Sequence, residues 1–389
     1  MILRIGRLVT CDGDPIDGTA LLVRDGKVEA IGEFDAPPDE LVLDHSDALV
    51  TPGLVDAHTH AAWIGSRARE YALRMAGADY ETIAAQGGGI VASMNSVRAA
   101  SVEELTTVLS ARLKRMASMG VTAVEVKSGY GLDEKSEYKQ LEAIARAAER
   151  KDVPAVVPTF LGLHALPPGQ TDRRTYARHC RSWLDAIARD RLARFVDAYV
   201  DRSAFSVYDA RPVLERAREL GLGIRMHAGQ FADVGAARLA AELGAASVDH
   251  LEHVSAEDAH ALRAAGTRAV LLPVASFTLG QSPPPVALLR QAGLDLVVAS
   301  DSNPGTAPTE SLPLAMAMAV RNYGLSVTEA LLGATRYAAQ SLGLDSGWLR
   351  VGGPADLVVW DLPHENDLVQ PWGVSRARLV LRAGVPIGP

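Results

Sequence analysis

The chain has 389 residues, of which 48% are hydrophobic and 22% charged, a balance typical of globular proteins. Its net charge of −8 comes from interspersed acidic and basic residues, so no polybasic patch indicates nucleic acid or anionic lipid. No apolar run approaches the roughly 18 residues that span a bilayer, and the first residues lack the pattern of a signal peptide. Cys11 and Cys180 are too far apart to suggest a disulfide framework. We therefore expect a cytoplasmic protein that binds neither nucleic acid nor membrane.

Both ends of the chain have the alternating pattern of short β-strands. Near the N-terminus the pattern covers 20–23, 27–31 and 41–43, with turns at Asp25-Gly26 and Pro37-Pro38. Near the C-terminus it covers 355–360 and 377–381. We predict that residues 1–50 and 350–389 form one small β-sandwich domain, rather than two unrelated appendages.

Residues 51–349 change to short apolar strands that alternate with amphipathic helices. Eight strands are predicted, at 54–57, 121–127, 155–160, 195–200, 223–226, 247–249, 268–272 and 294–300. Helical spacing covers 103–118, 134–148 and 234–243. Parallel strands need such crossover helices, so the pattern predicts an α/β protein with a (β/α)8 barrel.

The segment 65–100 is longer than a simple crossover connection. Its turn at Gln86-Gly87-Gly88-Gly89 suggests a loop over the mouth of the barrel. In barrels of this kind the chemistry takes place at the C-terminal ends of the strands. Polar residues that follow the predicted strands are therefore the first candidates for an active site.

Histidines are concentrated at these strand ends, together with one aspartate. They are His58 and His60 after the first strand, His164 after the third, His227 after the fifth, His250 after the sixth and Asp301 after the eighth. A single histidine there would be an ordinary packed or solvated residue. Five of them on one edge of a barrel predict a functional site.

His58 and His60 are two positions apart, and side chains two apart on a strand point to the same side. Both imidazoles can therefore reach one ion, with His227 and Asp301 as the third and fourth ligands. Three imidazoles and a carboxylate suit zinc or iron(II). A closed structural zinc site would favour cysteine, and no cysteine is near these histidines in the sequence.

The ligand set predicts a hydrolase, because a bound divalent ion lowers the pKa of its water towards about 7. Asp301 can take a proton from that water and deliver it to a leaving nitrogen. His250 can stabilise the oxyanion that develops. We therefore name Asp301 and His250 as the candidate catalytic residues.

The run at 51–60, TPGLVDAHTH, resembles the amidohydrolase superfamily. Narrower motifs resemble the imidazolonepropionase family within it. They are GSR at 65–67, QGGGI at 86–90, VEVKSGYGL at 124–132, TFLGLHALP at 159–167 and SDSNPGTAP at 300–308. The resemblance extends in order over nearly the whole chain.

This resemblance implies hydrolysis of 4-imidazolone-5-propanoate to N-formimino-L-glutamate, with one divalent metal, zinc or iron. By the same resemblance, the metal ligands are His58, His60, His227 and Asp301. The implied substrate contacts are Arg67, Tyr80, Tyr130, His164, Gln230, Asn303, Gly305 and Thr306. An arginine fork suits the carboxylate of a propionate tail, and neutral polar side chains suit a flat polar ring.

Two departures from related sequences limit the alternatives. Relatives with two metals have a bridging lysine after the fourth strand, where this chain has Tyr199-Val200-Asp201-Arg202, and Lys127 on the second strand is a weak substitute. We therefore predict one metal. Gln230 stands where related deaminases have a proton-shuttling glutamate, and an amide does not titrate.

Two alternative functions and the oligomeric state stay open at this point. Another cyclic-amide hydrolase or aminohydrolase of the superfamily would have the same ligand set and a different small substrate. A non-catalytic scaffold would be expected to lose ligands, and none is lost here. A homodimer is common among such barrels, but no sequence feature specifies one.

Overall fold

The computed structural model describes residues 1–34, 40–77, 88–202 and 204–388. The predicted turn at Pro37-Pro38, the candidate substrate contact Tyr80, and Gln86 and Gly87 lie outside these residues. In chain order the strands are β1 (Ile2–Leu8), β2 (Ile16–Arg24), β3 (Lys27–Gly32), β4 (Val42–Pro52), β5 (Leu54–Asp56), β6 (Val121–Lys127), β7 (Ala155–Leu163), β8 (Phe195–Val200), β9 (Gly223–Ala228), β10 (Ser247–His250), β11 (Arg268–Leu271), β12 (Leu296–Val298), β13 (Leu357–Trp360), β14 (Ala377–Arg382) and β15 (Val385–Pro386).

Strands β5 to β12 form a parallel eight-stranded sheet in which neighbours in sequence are neighbours in space. All eight predicted strands are present in it, and the predicted barrel fold is confirmed. Most residues of these strands are apolar, because helices cover the outside of the barrel and side chains fill the inside. Every residue of β6, for example, is buried.

The two end strands of the barrel sheet meet just beyond β5 and β12. The backbone N–H of Asp301 donates to the carbonyl of His58 at 3.0 Å, and that of His60 donates to the carbonyl of Ser302 at 3.0 Å. Thr59 and Ser302 form a parallel bridge between the same segments. Closure of the barrel therefore brings the His58–His60 segment beside Asp301.

Strands from both termini share a second sheet, with the order β15-β14-β13-β4-β1-β2-β3. In this sheet β4 pairs in parallel with β1 and antiparallel with β13. A separate apolar cluster supports it and includes Leu3 and Ile5 from β1 and Leu357 and Val359 from β13. The prediction that the two termini build one small β unit is confirmed at the level of fold class.

The helices of the described residues connect the barrel strands and cover their outer face. They are α1 (Ala68–Met75), α2 (Ile90–Ala99), α3 (Val102–Ala117), α4 (Glu134–Ala148), α5 (Arg173–Arg189), α6 (Val207–Glu219), α7 (Ala236–Leu243), α8 (Ala256–Ala264), α9 (Pro273–Leu279), α10 (Val286–Gln291), α11 (Leu312–Tyr323), α12 (Val327–Gly333) and α13 (Arg336–Ser341), with a 3₁₀ turn at Glu365–Val369. In the described parts of the chain, no helix is both long enough and apolar enough to cross a membrane.

The segment predicted as a loop over the barrel mouth contains helices α1 and α2 in its described parts. Arg74 of α1 donates to the carbonyl of Gly305 at 2.9 Å, so α1 packs against the loop that follows β12. The sequence pattern did not predict α1, because this helix has no clear stripe of apolar residues and is stabilised by ion pairs between its side chains. Glu70 pairs with Arg67 and Arg74 at helical spacings of three and four residues.

Candidate active site

The four predicted metal ligands meet at the point where the barrel closes. Nitrogen atoms of His58, His60 and His227 lie within 4.8 Å of one another. The Nε2 atoms of His60 and His227 are 3.3 Å apart, and Oδ1 of Asp301 lies 3.5 Å from Nε2 of both His58 and His60. All four side chains are buried.

Two buried carboxylates face the outer nitrogens of these histidines. Nδ1 of His58 donates to Oδ2 of Asp249 at 2.6 Å, and Nδ1 of His227 lies 3.0 Å from Oδ2 of Asp197. A proton held on Nδ1 leaves the lone pair of Nε2 free to bind a metal. Such carboxylate–histidine pairs are the usual support of histidine ligands in proteins.

The chemistry of this cluster fits a divalent ion. Burial, followed by the charges of neighbours such as Lys127 and His164, holds the pKa values of His58 and His60 well below the ordinary value. Both imidazoles are therefore neutral, which is the ligating form. Nε2 of His58 is buried and has no hydrogen-bond partner among the described residues, a costly state that an ion would relieve.

Sequence reasoning missed Asp197 and Asp249, although a signal for both was present. Asp197 interrupts the apolar run of β8, and Asp249 directly precedes His250 on β10. A charged residue in the middle of a fully buried strand is rarely tolerated unless it is paired. The position of these carboxylates in the sequence could have identified them as candidates. It could not have shown which histidine each carboxylate faces.

Lys127 belongs to a buried ionic network beneath the cluster. Its Nζ lies 2.7 Å from Oε1 of Glu125 and 2.8 Å from Oδ2 of Asp197. Burial lowers the pKa of Lys127, but Asp197 and Glu125 outweigh that effect and leave the pKa above its ordinary value. The amine is thus a paired ammonium, whereas a bridging carbamate forms from a neutral amine. The pairing of Lys127 with Glu125 and Asp197 supports a site with a single metal, which stays a prediction.

The backbone at the end of β10 turns His250 towards the histidine cluster. His250 and Leu251 have φ values of 86° and 66°, in the left-handed backbone region that residues other than glycine rarely adopt. The ring centroid of His250 lies 5.5 Å from that of His227 and 6.2 Å from that of His58. Asp301 also has a left-handed φ, at 54°. Strain of this kind concentrates at functional sites, where the surrounding fold enforces it.

Tyr130 and His164 lie on the side of the cluster nearest His60. The rings of His164 and His60 stack with centroids 5.0 Å apart, and Tyr130 is 5.4 Å from His164. Nδ1 of His164 bonds to the carbonyl of Gly129 at 2.8 Å. Burial lowers the pKa of His164 to about 4 and raises the pKa of Tyr130 above its ordinary value. Both groups are therefore neutral and can offer directional hydrogen bonds.

Gln230 lies on the loop that follows β9, three residues after His227. Its Oε1 accepts a hydrogen bond from the hydroxyl of Tyr199 at 2.8 Å, which leaves the amide N–H₂ group for another acceptor. The preceding Gly229 allows a close backbone contact, since an added Cβ would lie 2.3 Å from the carbonyl oxygen of His253. The position of Gly229 in this sequence thus has a steric reason.

Arg67 is held by an acidic partner that sequence reasoning did not identify. Its Nε donates to Oε2 of Glu70 at 2.8 Å, and its Nη2 bonds to Oε1 of the same carboxylate. Glu70 also accepts from Arg74 at 2.8 Å and from the backbone N–H of Gly89 at 2.7 Å. Two guanidinium groups thus share one carboxylate, and one positive charge is left for an anionic ligand.

Gly305 lies directly against the Arg67 guanidinium. A Cβ at this position would be 2.5 Å from Nη1 of Arg67, so a larger residue would displace the arginine. Asn303 shapes the same loop: its Oδ1 accepts from the backbone N–H groups of Gly305 and Thr306 at 2.8 and 2.7 Å. Its Nδ2 donates to the carbonyl of Asp301 at 2.7 Å. The Asn303 side chain therefore holds the loop that contains Gly305 and Thr306.

Comparison with known proteins agrees with this geometry. Residues 83–387 match the Amidohydrolase family. An imidazolonepropionase of Polaromonas sp. is 45% identical over 94% of this chain and 88% of its own length. Imidazolonepropionases of Symbiobacterium thermophilum and Methylobacterium sp. are 41% and 42% identical, and each alignment covers at least 97% of both chains.

Solved structures share the fold at much lower identity. An adenosine deaminase from Xanthomonas campestris with bound zinc has a TM-score of 0.75 at 19% identity, over 99% of this chain and 92% of its own. A triazine hydrolase variant has a TM-score of 0.79 at 17% identity, over 100% of this chain and 94% of its own. From its sequence relatives, this chain belongs to the amidohydrolase family and, within it, to the imidazolonepropionases.

Proposed function

We propose that this chain hydrolyses 4-imidazolone-5-propanoate to N-formimino-L-glutamate, a step of histidine degradation. One water molecule is added across a C–N bond of the cyclic amide. The water oxygen bonds to the carbonyl carbon, and a water proton goes to the ring nitrogen that leaves. The enzyme is a hydrolase of cyclic-amide C–N bonds, and we propose the cytoplasm as its compartment.

The observation that carries this proposal is the meeting of two kinds of group at one end of the barrel. A buried set of three imidazoles and a carboxylate, His58, His60, His227 and Asp301, is suited to activate water. Beside it lie neutral hydrogen-bonding groups and one excess positive charge from the Arg67–Glu70–Arg74 cluster. The Arg67 charge influences the pKa of both Tyr130 and His164, so the three side chains are electrostatic neighbours.

In this proposal His58, His60, His227 and Asp301 would hold one zinc or iron(II) ion, which would act as a Lewis acid and lower the pKa of water towards neutral pH. Asp301 accepts a proton from the attacking water and delivers it to the leaving nitrogen. His250 donates a hydrogen bond to the carbonyl oxygen as negative charge develops on it. Support for this role is the short distance between the rings of His250 and His227, 5.5 Å.

The substrate is oriented by contacts at its two ends. Arg67 binds the propionate, because a guanidinium matches a carboxylate in shape and charge. Tyr130, His164, Gln230 and Thr306 hydrogen-bond the polar ring, and Tyr80 is a further proposed contact. Gly305 and Asn303 contribute indirectly, since one makes room for Arg67 and the other holds the loop.

An assay of the purified, metal-loaded protein tests this function directly. We expect freshly made imidazolone propionate to lose its ring absorbance on addition of the protein, with N-formimino-L-glutamate as the product. The same ring without the propionate tail is the control, and it should react with a much lower kcat/KM. Protein that contains full metal and leaves imidazolone propionate intact would show that another amidohydrolase substrate must be sought.

A deaminase function is disfavoured by the same site. Gln230 cannot shuttle a proton, and it bonds to the Tyr199 hydroxyl through its carbonyl oxygen. A parallel assay for ammonia release from amino-purines and amino-pyrimidines should give no activity. Elemental analysis of the protein as purified will identify the ion, zinc or iron.

A further inference from the structure

A buried nitrogen of His250 and a buried oxygen of Glu252 face each other without forming a hydrogen bond. Nδ1 of His250 and Oε2 of Glu252 are 3.8 Å apart, and neither has a hydrogen-bond partner among the described residues. Both side chains are almost fully buried, at 4% and 3% exposure. Burying a polar group without a partner is costly, so a small rotation that joins these two atoms in a hydrogen bond is favourable.

The other oxygen of Glu252 is fixed by a chain of two hydroxyl groups. Oγ of Ser276, on α9, donates to Oε1 of Glu252 at 2.6 Å. The hydroxyl of Tyr323, at the end of α11, is 2.5 Å from Oγ of Ser276. Since the Ser276 proton is used towards Glu252, Tyr323 donates to Ser276. Two helices outside the metal cluster thus hold the Glu252 carboxyl in place.

We propose that Glu252 is a positioning residue for His250, with Ser276 and Tyr323 as its support. A hydrogen bond between the Glu252 carboxyl and Nδ1 fixes the plane of the imidazole, so that Nε2 is the nitrogen left to face the substrate. Because His250 donates from Nε2 in the proposed function, the shared proton is on the Glu252 carboxyl group, which donates to Nδ1. The inference rests on the proposed function, in which His250 hydrogen-bonds the reacting carbonyl oxygen.

The local backbone supports this role. His250 and Leu251 both adopt left-handed φ values, and this double turn brings the side chains of His250 and Glu252 onto facing positions. A partner on Nδ1 would add a directional contact to the ring packing of His250 against His58 and His227. Groups that orient a histidine through its second nitrogen are common where the first nitrogen does chemistry.

Kinetics of Glu252→Ala, Glu252→Gln and Ser276→Ala on imidazolone propionate test the proposal, with bound metal measured in each. For histidines that ligate a metal, loss of the group that orients the ring typically costs about 10–100-fold. We expect Glu252→Ala to lower kcat by about that factor, with KM and metal content close to wild type. Glu252→Gln should recover most of the loss, because an amide can still hydrogen-bond Nδ1. Ser276→Ala should have a smaller effect on kcat, since it frees Glu252 without removing it.

The controls separate the possible failures. Glu257→Ala, at a glutamate that is 82% exposed, should leave kcat unchanged. Wild-type protein without activity on imidazolone propionate would overturn the proposed function itself. Active wild type with unchanged kcat in Glu252→Ala, or with equal losses in Ala and Gln, would overturn the positioning role. If Glu252→Ala does not fold, an unchanged kcat in Ser276→Ala would overturn it instead.

Discussion

The carboxylate of Asp249 accepts a 2.6 Å hydrogen bond from Nδ1 of His58, and neither side chain is exposed to solvent. This bond fixes the tautomer in which Nε2 of His58 has a free lone pair. In Asp249→Asn the amide can donate to Nδ1 instead, which would place the proton on Nε2 and block ligation. We expect metal affinity to fall by about 10–100-fold.

Titration of the metal-free protein with zinc, followed by calorimetry, measures this change. Asp345→Asn is the matched control, because Asp345 is 72% exposed and pairs with Arg350 at the surface. Equal zinc affinity in Asp249→Asn and wild type would refute the supporting role of Asp249.

Asp301 is expected to be essential for turnover even when metal is present. Asn has nearly the same size as Asp, but it cannot accept the proton of the attacking water. We expect Asp301→Asn to lower kcat by about 10²–10⁴-fold, measured at a metal concentration that saturates the variant. Asp295→Asn, at a partly exposed residue before β12, is the control. Near-normal kcat in metal-saturated Asp301→Asn would remove Asp301 from proton transfer.

Arg67 is expected to act mainly on substrate binding. A hydrogen bond to a charged group contributes about 1.5–3 kcal/mol, so Arg67→Ala should raise KM for imidazolone propionate by roughly 10–150-fold with a smaller change in kcat. Arg69→Ala is the control, since Arg69 is exposed on α1, which begins directly after Arg67. An unchanged kcat/KM in Arg67→Ala would mean that another group binds the propionate.

Glu252 should make the stability of the protein depend on pH. Burial raises the pKa of this carboxyl from 4.5 to about 7. The folded protein therefore binds this proton more tightly than the unfolded chain does. The stabilisation that results is fully present below pH 4.5 and is lost as the pH rises through about 7.

Glu252→Gln removes this titration while His250, Tyr323 and Asp201, the titratable groups around it, stay unchanged. The free energy of unfolding of Glu252→Gln should therefore rise relative to wild type between pH 5 and pH 8, by at most about 1.4 kcal/mol per pH unit. Denaturant unfolding at each pH, without metal, measures it. A difference that stays constant over this range would contradict the raised pKa.

Both cysteines should be unreactive in the native protein. Cys11 and Cys180 are buried and free, and burial raises the pKa of Cys11 to about 11 and that of Cys180 above its ordinary value. Because the thiolate is the nucleophile, an aromatic disulfide reagent at pH 7.5 should modify neither thiol at a measurable rate. In denaturant both thiols should react. Rapid modification of one thiol in the native protein would show local opening around it.

The barrel and its two-histidine motif follow from the sequence by itself, because both depend on short-range periodicity. Apolar runs separated by helical spacing specify parallel strands, and the period of two puts His58 and His60 on one side of a strand. The positions of His227 and Asp301 at predicted strand ends add them to the ligand set, and the family resemblance implies the substrate contacts. Helix α1 was not recognised, because its ionic pairs leave no apolar stripe.

Tertiary structure alone decided which carboxylate serves which functional side chain. Asp249 meets His58 across 191 positions of sequence, and Ser276 fixes Glu252 across 24. Such pairs depend on barrel closure and helix packing, because these bring segments that are far apart in sequence into contact. The histidine pattern thus predicted a metal site, while the fold determined that Asp249 supports His58 and that Asp197 supports His227. Local patterns specify the elements, but only packing brings buried charges from different elements within hydrogen-bonding distance.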